Sequence, residues 1–168
     1  MASGQVFGLY PAPTGTLAAP IDYIVGAATP AENAPVAVFA DAASAYLDFY
    51  GTLQGYGNGG LTLSIKWSSL ATSNAVVWQA AFRRMQDDGE DFDTMAHSYD
   101  FNTVTATAPS AAGENSYDNI TFTNGADMDS LANGEAFVLR ILRDPANGSD
   151  NLANTAYLWF PQLILRET

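Results

Sequence analysis

The sequence predicts an all-β protein, and three observations carry that prediction. Hydrophobic side chains recur with a period of two rather than 3.6, turn-forming residues separate the alternating runs, and helix-start signals are scarce. In GLTLSIKWSS, Leu61, Leu63, Ile65 and Trp67 alternate with Thr62, Ser64, Lys66 and Ser68. In AVVWQAAFRR, Val76, Trp78, Ala80 and Phe82 take one face, while Val77, Gln79, Ala81 and Arg83 take the other.

The chain opens on MASGQVFGLYPAPTGTLAAP, a stretch with no charged side chain. It lacks the basic start and uninterrupted apolar run of a signal peptide. Pro11, Pro13 and Pro20, with Gly4, Gly8 and Gly15, exclude a spanning helix of ~20 residues. Five of the eight prolines fall at or before Pro35, a composition suited to extended chain without its own core. The expected organisation is an extended N-terminal arm over residues 1–35 and a β domain over residues 36–168. Deleting residues 2–34 is expected to leave that domain folded.

A first domain strand is expected at Val36–Ala40. In the next, Leu47, Phe49 and Leu53 alternate with Tyr46, Asp48 and Tyr50. The loop QGYGNGG supplies the positive φ angles that a sharp connection needs. FNTVTATA and SYDNITFT are Thr-rich and β-branched, with the turn-forming PSAAGEN between them. In ADMDSLANGE, Asp127 is expected to cap a single helical turn that Gly134 ends. EAFVLRILRD sets Phe137, Leu139 and Ile141 on one face. TAYLWFPQLILRE is apolar on both faces and carries Pro161 at its middle, which implies an edge position or a bulge. About eight strands with turns between them fit an antiparallel jelly-roll-like β-sandwich.

Charge narrows the partners. Eighteen acidic against six basic residues give a net charge of −12. A field of that sign repels nucleic-acid phosphates and anionic membranes. It suits a protein that must stay dispersed at high abundance. The absence of cysteine excludes disulfide scaffolds, thiolate zinc sites and cysteine nucleophiles.

Candidate chemistry is sparse. MQDDGEDFD crowds Asp87, Asp88, Glu90, Asp91 and Asp93 after a strand, a weak calcium candidate whose spacing departs from the twelve-residue calcium loop. A solvated acidic loop explains it without a metal. DPANGSDN, with Asp144, Asn147 and Asp150, reads as turn chemistry. His97 is the single histidine, and no nucleophile elbow accompanies it. No pair among the carboxylates stands out as a glycosidase acid and base. Trp67 and Trp78 lie on faces filled with aliphatic residues and are expected in the core, whereas Trp159 has a neighbouring subunit as a second option. Arg83, Arg84, Arg140 and Arg143 are expected to pair with local carboxylates such as those at 87–93. The reading is of a protein that is not an enzyme and needs no cofactor.

Three blocks then resemble a known group. YLDFYGTLQGYGNGGLTLSIKW, AVVWQAAFRRMQDDGEDFD and FVLRILRDPANGSDNLANTAYLWFPQLILRET are similar to uncharacterised jelly-roll-like virion structural proteins of tailed bacteriophages and prophages, over about residues 45–168. The resemblance implies a capsid decoration (cement) protein on the surface of a phage particle. Its expected partners are the major capsid protein or other virion proteins, and copies of itself in a homotrimer. A tail-fibre or baseplate module that recognises host carbohydrate is the alternative. The expected interface joins the arm to the doubly apolar last strand: Val6, Phe7, Leu9, Tyr10, Leu17, Ile21, Tyr23, Trp159, Phe160 and Leu163. Outward-facing Val77, Ala81 and Leu142 are secondary interface candidates.

Overall fold

The computed structural model describes residues 4–12, 19–25, 31–85 and 98–168. Among these residues the strands are Val6–Phe7 (β1), Tyr10–Pro11 (β2), Ile21–Val25 (β3), Asn33–Phe39 (β4), Tyr46–Thr52 (β5), Leu61–Ser69 (β6), Ala75–Met85 (β7), Asn102–Thr107 (β8), Asn115–Phe122 (β9), Ala136–Arg143 (β10), Ala156–Leu158 (β11) and Ile164–Glu167 (β12). The protein is all-β, and every strand pairing is antiparallel. Each of the eight expected segments contains a strand. The additional ones arise because the expected arm contributes three strands and the last segment is split in two.

Two sheets form. The first runs β9, β6, then β11 and β12 end to end, then β4 and β3, with β1 paired to β12. The second runs β2, β5, β10, β7 and β8. The alternation read from the sequence decides which faces meet. Leu61, Leu63, Ile65 and Trp67 of β6 pack with Val76, Trp78, Ala80 and Phe82 of β7 in one core that also holds Phe137, Leu139 and Ile141 of β10. Edge-to-face contacts organise its centre: Phe39 on Trp78 at 5.1 Å, Trp78 on Trp67 at 6.2 Å, and Phe82 on Phe122 at 4.7 Å. Such geometry places ring edges against the electron-rich faces.

Pro161 breaks the last strand, and of the two options the sequence left, an edge position or a bulge, the structure shows the bulge. Leu158 stands opposite Trp67 and Ile164 opposite Ser64, so residues 159–163 face only Ile65 and Lys66. A single 3-10 turn, Phe160–Gln162, takes up the excess chain. Proline suits this position because it has no N–H to give to the ladder.

Residues 4–12 and 19–25 do not stand apart from the domain. Phe7 and Ala19 belong to the core, at 5% and 0% exposure. The stretch pairs with β12, then follows the edge of β5: Tyr10 stands opposite Tyr50, Ala12 N–H donates to the Asp48 carbonyl, and Ala19 N–H donates to the Tyr46 carbonyl. It then crosses to the first sheet, where Val38 N–H donates to the Pro20 carbonyl and β3 pairs with β4. The N-terminal stretch is thus a strap that laces together the edges of β5 and β4. The physical reason lies in those edges, whose unpaired N–H and C=O groups are satisfied by any extended chain beside them. The expectation that residues 2–34 can be deleted without loss of folding does not fit this arrangement.

The glycine-rich loop after β5 serves a carboxylate. Gly57 and Gly59 N–H groups donate to Glu167 Oε1 at 2.7 and 3.2 Å, and Glu167 is only 5% exposed. A Cβ on Gly57 would lie 2.9 Å from that oxygen, and one on Gly60, at φ +90°, would lie 2.7 Å from the Phe122 carbonyl oxygen. Burial pushes the Tyr56 hydroxyl above its ordinary pKa; it donates to Asn124 Oδ1 at 3.0 Å and accepts from Gly60 N–H at 3.0 Å.

Asp127 lies inside a 3-10 turn, Ala126–Met128, rather than capping it; Gly125 holds the N-cap position and makes no side-chain capping bond. The carboxylate instead reaches back to accept from Thr123 N–H at 3.0 Å and Asn102 Nδ2 at 3.4 Å. These bonds, led by the Thr123 N–H, hold its pKa below the ordinary value. A depressed folded-state pKa contributes stability at neutral pH that is lost as the pH falls through the carboxylate range. Asp127→Ala should therefore lower the Tm at pH 7, and the gap from wild type should narrow toward pH ~3. Paired thermal melts across that range are the check, and a gap independent of pH would contradict the assignment.

Candidate functional site

The residues expected at an interface divide by strand parity. On the strap, Phe7 is turned into the core and Leu9 packs against it. Val6 (62% exposed), Tyr10 (71%), Ile21 (41%) and Tyr23 (63%) remain open to solvent. Leu17 lies outside the described residues, as do His97 and the acidic run Asp87, Asp88, Glu90, Asp91 and Asp93. Val6, Tyr10 and Tyr50 line one shallow groove of about 560 Å³, with Gln54 and Met85 at its margin. The Gln5 side chain donates to the Gln54 carbonyl and ties β1 to the loop after β5.

At the C-terminal end, Phe160 and Leu163 pack partly against the core, while Trp159 lies on the outer face of the first sheet. Its indole Nε1 donates to Ser68 Oγ at 3.0 Å, and its backbone N–H donates to the Lys66 carbonyl at 2.9 Å. Lys66 Nζ lies 4.6 Å from the Trp159 ring centre and 5.6 Å from that of Tyr117, and donates to Gln162 Oε1 at 2.6 Å. The result is a row across the sheet, Tyr117, Lys66 and Trp159, in which a largely buried ammonium is stabilised by two ring faces and an amide oxygen. Beside Trp159 opens a second groove, of about 450 Å³, lined by Ile24, Glu32, Asn33, Pro35, Asn115 and Gln162 among others.

The secondary candidates fare differently. Val77 and Ala81 point outward from the second sheet as the alternation required, yet both are fully buried. Leu142 is half-buried. Over Ala81, the Arg140 guanidinium is sandwiched between Tyr46 at 3.8 Å and Tyr99 at 4.4 Å and binds Asp48 through two 2.8 Å hydrogen bonds. Val77 and Ala81 are therefore covered by their own chain and offer no interface.

Three of the four arginines expected to pair with the acidic run pair elsewhere: Arg140 with Asp48, Arg84 with Glu135 at 3.5 Å, and Arg143 with Asp150 at 2.7 Å. Among the described residues, no group of three His, Asp or Glu side chains is arranged to hold a metal ion, and no helix is long and apolar enough to cross a membrane.

Sequence reasoning missed the groove beside Trp159. Its polar lining comes from the start of β4, the start of β9 and the C-terminal bulge, segments that no local pattern connects. The one signal pointing there was Trp159 on a doubly apolar strand interrupted by proline.

No family model matches the chain, and no curated protein matches it. Among solved structures, the enzymatically active domain of tailspike protein 4 from bacteriophage CBA120 aligns over 95% of this chain and 19% of its own length, with a TM-score of 0.38 and 9% sequence identity. A likeness of that size leaves fold and function to be argued from the chain itself.

Proposed function

We propose that this chain is a jelly-roll structural module of a bacteriophage particle, a capsid decoration protein that acts by binding. The strand order supports the jelly-roll reading. Strands β4, β11/β12, β6 and β9 lie side by side in one sheet, and β5, β10, β7 and β8 in the other, so the chain alternates between sheets as two interlocked Greek keys do. The virion assignment rests on the resemblance of the three sequence blocks. The acidic and cysteine-free composition agrees with it.

The observation that carries attachment is the strap. Its inward side chains are consumed by its own domain, and its outward ones, Val6, Tyr10, Ile21 and Tyr23, stay exposed on ordered backbone. Tyrosines fixed in this way bury large area on association at little entropic cost. The partner is the major capsid protein or another virion protein, and the oligomer is a homotrimer.

The Tyr10→Ser/Tyr23→Ser double variant should fold normally, because each residue is a surface side chain away from the core. Its incorporation into particles, read by quantitative mass spectrometry, should fall roughly tenfold or more. Incorporation at the wild-type level would remove the strap as the attachment face. The groove lined by half-buried Trp159 favours a second reading, a host-recognition module of the tail. Copy number separates the two: many copies spread over the shell mean decoration, and a handful per particle mean tail.

A further inference from the structure

We propose that the groove beside Trp159 binds a neutral carbohydrate. The inference rests on the groove alone and holds wherever the module sits on a particle.

The ring is prepared for stacking. Its Nε1–H is anchored to Ser68 Oγ at 3.0 Å, and Lys66 Nζ holds one face at 4.6 Å, so the indole is fixed before any ligand arrives. A fixed aromatic plane presents a π-face to the C–H groups of a pyranose without an ordering cost at binding. Lys66 is engaged with two rings and Gln162, and serves as a clamp on the ring.

The surrounding polar groups suit hydroxyls. Asn33, Asn115 and Glu32 line the groove, are exposed, and make no side-chain hydrogen bond to the described residues. The Gln162 oxygen is used by Lys66, which leaves its NH₂ group to donate. Amides offer both donor and acceptor, and a carboxylate adds acceptors only. A sugar hydroxyl is itself donor and acceptor, so this set can match an array of hydroxyls. A hydrophobic peptide would cover the same groups without pairing them, at a desolvation cost. Glu32 in the groove and the net charge of −12 oppose phosphorylated or uronic glycans. The groove, at about 450 Å³, lies within the roughly 300–1,000 Å³ of small-molecule sites.

Intrinsic fluorescence offers a selective readout. Trp67 and Trp78 are fully buried, so a ligand that enters the groove should alter the Trp159 emission and shield it from acrylamide. The full chain should be screened on a glycan array, and hits titrated as free oligosaccharides. The expected result is saturable binding of at least one neutral glycan, weakened roughly tenfold by Asn115→Ala and abolished by Trp159→Ala. Asn115→Ala removes an exposed side chain without internal bonds and should leave the Tm unchanged. It keeps the test decisive even if Trp159→Ala destabilises the bulge. No array binding above the Trp159→Ala background, binding unaffected by Asn115→Ala, or a preference for anionic glycans or for a proline-rich peptide would each overturn the proposal.

Discussion

Asp150→Ala should cost about 3–5 kcal/mol of stability, because it strands a buried cation. Arg143 and Asp150 have side chains only 1% and 2% exposed, and the guanidinium meets the carboxylate through bonds of 2.7 and 2.9 Å. Arg143 also donates to the carbonyls of Leu152 and Asn154, and more distantly to that of Phe39. Asp150 Oδ2 accepts in turn from Val77 N–H at 3.0 Å. One ion pair therefore fixes the β10–β11 connection against β7 and β4, and every polar atom in it is satisfied within the chain. Removing the carboxylate leaves an almost fully buried charge without its counter-ion.

For a chain of this length the expected fall in Tm is roughly 6–20 °C, and urea unfolding should show a lowered midpoint with little change in slope. The Arg143→Met/Asp150→Leu double variant should be less destabilised than the sum of the single changes, since it leaves no uncompensated charge. A cost below about 1 kcal/mol for Asp150→Ala would place the pair among the solvated ones.

Phe7→Ala should cost about 3 kcal/mol, the lower end of the range for a buried phenylalanine. Phe7 lies in a two-residue strand, stacks edge-on against Tyr56 at 6.3 Å and is 5% exposed. Its neighbour Val6, with the opposite strand parity, is 62% exposed, and Val6→Ala should stay within about 0.5 kcal/mol. The contrast between adjacent residues separates a strap that belongs to the core from an arm that merely lies on the surface. If both substitutions prove neutral in chemical denaturation, residues 4–12 contribute nothing to the fold. If Phe7→Ala alone unfolds the chain readily, deletion of residues 2–34 will remove the domain with the strap, and loss of incorporation by such a deletion would say nothing about attachment.

Strand parity was legible throughout. Alternation alone assigned Leu61, Leu63, Ile65 and Trp67 inward, placed Trp67 and Trp78 in the core, and set Pro161 at a break in the last strand. Parity follows from the two-residue repeat of the strand itself and needs no partner. The all-β class follows from the same local rule.

What required the tertiary structure was every pairing between distant residues. Asp150 reads as turn chemistry until the connection folds back over Arg143. Ala81 reads as exposed until Arg140, held between Tyr46 and Tyr99, covers the sheet beside it. A stretch rich in proline and glycine reads as a free arm until the open edges of β4 and β5 offer it hydrogen bonds. The Trp159 groove joins Asn33, Asn115 and Gln162 only because β4, β9 and the C-terminal bulge meet on one sheet. A sequence displays side-chain periodicity directly, whereas burial and proximity depend on which edges and faces meet, and those are properties of the closed sandwich alone.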